Sequence, residues 1–408
     1  MRISTTQYYS QNVATMSDQQ AQLSQLYAEI SSGVSLSTPA DNPLGAAQAV
    51  QLSATGTTLS QYTTNQNTAI SSLQQEDTTL GSVNSVLQNI HTLTLRAGDG
   101  SLNDSDRSAL ATQLQGLRSQ LMTLANSTDT QGNYLFSGYQ SGAQPYSIDS
   151  AGAVTYSGDT GSPAVQVSGS NVVQTGDNGV AIFGSVAPIG TSSVPAGASG
   201  NTGSGSIGSV SLNNPTDPAN ADTYQINFSS ATTYTVSSTD PATGNVTTSQ
   251  PQAFTSGSAI TLGGQSVTIT GAPNAGDSFS VTPATQGSTD VFANLNQLIT
   301  TLQQPVAGDA ALASFQSSLA TSMTQLENTM NNVTTAQASV GGREQEVQAL
   351  QTVTQTNSLQ TANNLADLTQ TDLVKTISQY TTTQASLQAA QQAFVQIQNM
   401  SLFQYINN

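Results

Sequence analysis

Heptad seams bracket this chain at both ends. Toward the C-terminus, Leu373, Ile377, Tyr380, Leu387 and Phe394 follow at steps of 4, 3, 7 and 7, with Gln384 and Gln391 at the skipped core positions. Toward the N-terminus, Tyr9, Val13, Met16, Leu23, Tyr27 and Ile30 step by 4, 3, 7, 4 and 3, with Gln20 at the skipped position. Apolar residues at a and d positions make a helix seek a partner along one narrow stripe. Gln in such a seam fixes register and lowers stability, so these helices are built to pair rather than to stand alone. The C-terminal tip adds Ile397, Met400, Leu402, Phe403, Tyr405 and Ile406, apolar on nearly every side. A chain end is ordinarily polar and frayed, so this one expects a cover. Half of that cover is expected from the rest of the chain, and half from other copies of it.

Between the seams the period changes twice. The first helix is predicted over about 5–32, with Gly33 as its C-terminal cap. The segment 37–43 is a compact break, in which Asp41 or Asn42 caps a second helix that starts at Pro43 and runs to about Ala97. Its stripe is Leu59, Tyr62, Ile70, Leu73, Leu80, Val83, Leu87 and Ile90. About 50 residues at 1.5 Å each give a helix roughly 75 Å long. A third helix starts at 103–106, with Asp104 and Asp106 at its positive end, and carries Leu110, Leu114, Leu117, Leu121 and Leu124.

From 134 to about 189 short alternating runs bounded by Gly, Asp, Ser and Pro predict strands, at 153–156, 165–167 and 172–173. The Gly/Ser/Pro/Asn-rich stretch 190–220 reads as a linker or loose loop. Strands are then expected at 224–228, 234–236, 260–262, 267–269 and 279–281, spaced as in a small β domain. Helix returns at Asp290, breaks at 305–308, and is expected to run on through Val347 and Leu350 into the terminal seam, with Gly341-Gly342 as a soft point. The fold class is mainly α with inserted β. The two ends form an antiparallel long-helix bundle, and the β part is looped out from the middle.

Composition removes most chemistry. Net charge is -17, from 23 acidic and 6 basic residues, and charged residues make up 7% of the chain, against roughly 25% in ordinary soluble domains. No basic residue lies between 119 and 342. A nucleic-acid groove or an anionic membrane surface needs clustered Lys or Arg, so neither is an expected partner. Cysteine is absent and His91 is the single histidine, which removes thiolate chemistry and Cys- or His-rich metal sites. No apolar run approaches the roughly 20 residues of a membrane span. The first twenty residues show no cleavable signal pattern.

The remaining candidates have simpler uses. His91 lacks a second histidine for a dyad. Asp104 and Asp106 fit a helix cap better than a catalytic pair. Glu344/Glu346 and Asp367/Asp372 fit solvated helix faces. The Gly-rich run 199–208 lacks the ending and the following helix of a phosphate loop. Asp217, Asp222, Asp240 and Asp277 match no calcium loop. No cofactor and no catalytic residue are expected. An enzyme carried on a coiled-coil stalk, such as a glycosidase, would need a carboxylate pair in a sugar cleft, which these scattered Asp residues do not supply.

Four motifs occur in order: 1–5 (Met-Arg-Ile-Ser-Thr); Ile30-Ser-Ser-Gly33 followed by 39–43 (Pro-Ala-Asp-Asn-Pro); Gly132-Asn-Tyr-Leu-Phe-Ser-Gly138; and 402–406 (Leu-Phe-Gln-Tyr-Ile). In these the chain resembles the hook–filament junction proteins of the flagellin superfamily. Positions 34–36 depart from that family, which often has basic residues there. Flagellin itself, the filament subunit, is the alternative, but it fits less well near residue 40 and at the C-terminal end.

The resemblance implies a structural, non-enzymatic, extracellular subunit of the bacterial flagellum. It implies a ring of copies between hook and filament, with a neighbouring hook-associated protein on one side and flagellin on the other. It implies export unfolded through the type III apparatus. An inner coiled-coil domain is expected from 1–42 with 364–408, a helical domain with a β hairpin from 43–190 with 286–363, and an outer β domain from 191–285. The expected assembly interface is the two seams together with Ile397, Leu402 and Phe403. An export chaperone is expected to cover Leu387, Phe394 and Leu402 before assembly.

Overall fold

The computed structural model describes residues 5–36, 38–40, 42–150 and 152–406, with side chains left out for residues 5, 6, 8 and 397–406. Helix α1 (Thr5–Ser32) ends at Gly33, whose φ of 72° suits a residue without a Cβ. Helix α2 (Pro43–Ala97) follows, and Asn42 caps it by accepting the Gly45 amide at 3.0 Å. The alternative cap, Asp41, lies outside the described residues. Helix α3 (Asp104–Ala125) opens with a capping box: Asn103 Oδ1 accepts the Asp106 amide and Asp106 accepts the Asn103 amide.

The middle of the chain is built from short strands. Hairpin β1 (Tyr146–Ile148) with β2 (Val154–Tyr156) is followed by hairpin β3 (Ala164–Gln166) with β4 (Val172–Gln174) and by the short helix α4 (Gly179–Phe183). Then come β5 (Val194–Gly197), β6 (Ser206–Ile207), β7 (Ser211–Leu212), β8 (Thr223–Ser230), β9 (Thr233–Thr239), β10 (Val246–Thr248) and β11 (Gln252–Ala253). The series closes with β12 (Ala259–Leu262), β13 (Gln265–Thr270) and β14 (Ser278–Thr282). One antiparallel sheet has the order β10-β9-β8-β14-β5, with β11 also on β9. A second has the order β12-β13-β6, with β7 also on β13.

The segment 190–220, expected as a loose loop, therefore supplies three strands. Its pairing explains the difference. Residues Val194 to Gly197 bond to β14, some eighty positions away, and Ser206-Ile207 to β13. Local composition does not report such remote partners.

Helices α5 (Val291–Gln303), α6 (Asp309–Thr369) and α7 (Leu373–Ile406) complete the chain. Gly341 and Gly342 sit inside α6 without interrupting it. The helix expected to continue into the terminal seam instead stops at 370–372. There Asp372 Oδ1 accepts the Lys375 amide at 3.1 Å and starts α7. The freed backbone is taken up by the loop after α1: the Ser35 amide donates to Thr369 O, and the Thr371 amide to Gly33 O.

The chain divides into two compact units, 1–64 with 351–408 and 65–350. The second holds two apolar cores. The helical core gathers Leu73, Leu80, Leu87 and Ile90 of α2 with Leu114 of α3, Phe292 of α5 and Val333, Val340 and Val347 of α6. The β core gathers alternate residues of the two sheets, among them Ile226, Phe228, Ile260, Val267, Ile269, Phe279 and Val281.

Candidate assembly surface

Within the first unit α1 and α7 run antiparallel, as the seams predict. Tyr9 meets Phe394 edge to face with ring centroids 5.5 Å apart, Gln19 Nε2 donates to Ser386 Oγ at 3.2 Å, and Tyr27 approaches Tyr380 at 6.5 Å. The register continues to the antiparallel bridge between Val34 and Gln370.

The face that α1 buries differs from the expected one. Tyr9, Met16, Leu23 and Ile30, seven residues apart, are partly covered. The positions between them are Asn12, Gln19 and Leu26, not Val13, Gln20 and Tyr27, and Leu26 is 6% exposed. On α7 the covered residues are Thr376, Tyr380, Thr383, Leu387, Ala390 and Phe394, so Ile377, Gln384 and Gln391 are not core positions. The sevenfold residues belong to two heptad tracks, and the partner decides which is used. Thr376, Thr383 and Ala390 are small, so they let α1 approach on that side and bury Leu26.

The displaced half of the expected seam faces outward. Val13 is 51% exposed, Tyr27 64% and Ile377 47%, while Leu373, the end residue of the covered Tyr380 track, is 48% exposed. In an antiparallel pair these flanks lie on one side. There Gln20, Leu23, Tyr27, Tyr380, Gln384 and Leu387 line an open groove. One flank of the pair thus fills the intrachain seam and the next carries exposed apolar and amide side chains. The side chains of Ile397, Leu402 and Phe403 lie outside the described residues, whose backbone there is helical.

Residues 3–141 match the model of the bacterial flagellin N-terminal helical region. Flagellar hook-associated protein 3 of Escherichia coli (strain K12) is 28% identical over 405 residues, 99% of each chain. The crystal structure of flagellar hook associated protein-3 from Legionella pneumophila superposes with a TM-score of 0.69 at 25% identity, covering 78% of this chain and 98% of that one. FlgL of Xanthomonas campestris gives 0.66 at 26% identity, covering 76% and 98%. The chain resembles flagellar hook-associated protein 3 over its whole length.

In this chain the polar candidates make local hydrogen bonds and ion pairs. His91 Nε2 lies 3.5 Å from a Glu327 carboxylate oxygen. Asp106 and Asp372 cap helices, Asp217 Oδ1 accepts the Ala219 amide, and Asp240 accepts from Ala242 and Thr243. Asp277 is buried and accepts three backbone amides. Among the described residues no group of three or more His, Asp or Glu could hold a metal ion, and no helix is long and apolar enough to cross a membrane.

Proposed function

We propose that this chain is a structural subunit of the bacterial flagellum that forms a ring at the hook–filament junction. A hook-associated protein adjoins it on the hook side and flagellin on the filament side. The full-length likeness to proteins named hook-associated protein 3 carries this reading. The outward flank of the α1–α7 pair supplies the physical part. Val13, Tyr27, Leu373 and Ile377 offer a second apolar stripe where a neighbouring copy's helices gain burial. The subunit reaches its place through the type III apparatus without a cleaved signal, its C-terminus covered by an export chaperone until assembly. It has no enzymatic role.

The decisive variant carries Val13→Asp with Tyr27→Asp. Val13 faces solvent and Tyr27 approaches only the half-covered Tyr380 ring in the single chain, so the melting of the 65–350 unit should be unchanged, while assembly should fail and leave hooks without filaments. Filaments at wild-type number would remove this surface from the interface. The competing reading, a flagellin-like filament subunit, draws on the match to the flagellin N-terminal region. Copy number separates the two: a handful of chains per flagellum fits a junction ring, and a filament's worth fits flagellin.

On the same reading, 1–42 with 364–408 is the inner assembly domain, 43–190 with 286–363 the helical domain, and 191–285 an outer β domain. The β sheets close on their own core, so residues 195–284 replaced by a short linker should still give filaments. Loss of filaments despite normal export of the shortened chain would show that the insert belongs to the junction itself.

A further inference from the structure

Hairpin β3–β4 is fastened to the long helices at both of its ends. At the tip side, Asn65 Nδ2 and Gln66 Nε2 of α2 donate to the carbonyls of Gln166 and Val167 at 2.7 and 2.8 Å. At the base, just after β4, Asp177 meets one ionisable residue from each helix. Its amide donates to Glu76 Oε1 of α2 at 3.1 Å, and its carboxylate pairs with Arg343 of α6 at 2.5 Å. Arg343 also donates to Gln174 O at 3.4 Å.

Glu76 is 2% exposed and occupies a core step of the α2 stripe, between Leu73 and Leu80. Its second oxygen, Oε2, is buried and accepts no hydrogen bond. The site therefore holds two carboxylates and a single cation. With a proton on Glu76 its charge is zero, and Glu76 can donate to the Asp177 carboxylate. Without that proton the site carries one uncompensated negative charge away from water, which is unfavourable.

The charged groups facing Glu76 are Asp177 from the hairpin base and Arg343 from α6. The other nearby acids have their own partners: Glu344 accepts from Gln74 and Gln348, and Glu346 accepts from Asn171. Asp77, the next residue on α2, is only partly covered.

We propose that the base of this hairpin is a proton-dependent latch: Glu76 in its neutral form holds the hairpin down on α2 and α6, and loss of the proton frees it. Lifting the hairpin would uncover Val167 and Val173, both buried in the helical core. Burial, with Asp177 second, pushes the Glu76 carboxyl up to about 8 from its ordinary 4.5, against the opposing pull of Arg343. Its folded value lies above its unfolded one, so the stability it confers is complete below about 4.5. That stability declines as pH rises toward about 8 and is absent beyond.

Hydrogen exchange on the full chain tests the latch, at about pH 6 and about pH 9.5, after correction for the intrinsic rate at each pH. Amides of 164–178 in the wild type should lose at least about tenfold protection at the higher pH. In Glu76→Gln, which keeps the shape without the charge, protection should stay the same at both. An equal loss in both proteins, or none in the wild type, would overturn the latch. Carbon-13 NMR of labelled glutamate decides independently of any variant, since the chain has only five glutamates. One should titrate well above the carboxylate range, and five ordinary titrations would sink the proposal.

Discussion

Asp277→Ala should destabilise the β-rich core by roughly 3–5 kcal/mol. Asp277 is 2% exposed, and its carboxylate accepts the backbone amides of Thr202 at 2.8 Å, Gly203 at 3.0 Å and Asn274 at 2.8 Å. One side chain thereby ties the 201–205 loop to the turn that enters β14. Removing it leaves three amides without acceptors, each costing on the order of 1–3 kcal/mol if it stays dry. Gly203 packs so closely that an added Cβ would lie 2.5 Å from the Asn274 nitrogen. Urea unfolding followed by hydrogen exchange should show early loss of protection in β13 and β14. The α2, α3 and α6 amides of the helical core should keep theirs. Asp277→Asn should cost less, because one oxygen remains as an acceptor. If Asp277→Ala and wild type melt together, the three amides have other acceptors and the tie is not structural.

Asp277 also marks how far the sequence could be read. Gly276-Asp277 is legible as a turn into the last strand, since Gly276 adopts a φ of 92°. Two of the carboxylate's three partners, Thr202 and Gly203, lie some 75 residues earlier in a Gly/Ser-rich stretch, and no local pattern points to them. The same limit hid β5, β6 and β7, whose pairing is remote and which, at four, two and two residues, are too short to show alternation. Helices α1, α2 and α3 were legible because caps and apolar spacing agree there. The stop before α7 was signalled too, since Thr371-Asp372 is a capping sequence, but the apolar period on either side masked it.

In the α1–α7 pair, the sevenfold residues Tyr9, Met16, Leu23 and Ile30 fix which side of α1 is covered. They do not fix which intermediate positions share the cover. Leu26 against Tyr27 is settled only by the small residues of α7 opposite. Glu76 was missed for a related reason. A glutamate on a leucine stripe reads as an interruption until Arg343 and Asp177 are brought beside it.

Phe394→Asp should separate the roles of the two units most sharply. The ring lies edge to face on Tyr9, and Leu387 and Tyr380 continue the same face of α7 toward its start. Full burial of a Phe side chain contributes roughly 1.5–3 kcal/mol, of which the partly covered Phe394 gains a part, and the aromatic pair adds about 0.5–1.5. A carboxylate there loses both and brings a charge to an apolar contact. The α1–α7 pair has little to spare, because Asn12, Gln19, Thr376 and Thr383 hold core positions and Gln19 Oε1 is buried without a hydrogen bond. The pair should therefore fray from this end, and on the proposed function junction assembly should fail.

On the proposed function the same face is covered by an export chaperone before assembly, since apolar surface left open in the cell promotes aggregation. Chaperone affinity should then fall at least tenfold, about 1.4 kcal/mol. The melting of the 65–350 unit should be unchanged, because its core is built from Leu80, Leu87, Val333 and Val340 without Phe394. Calorimetry of the variant with titration against the chaperone reads both quantities. Unchanged affinity with a large drop in that melting temperature would make Phe394 part of the folded core, and the C-terminal helix would lose its role as a surface used first by the chaperone and then by the assembly.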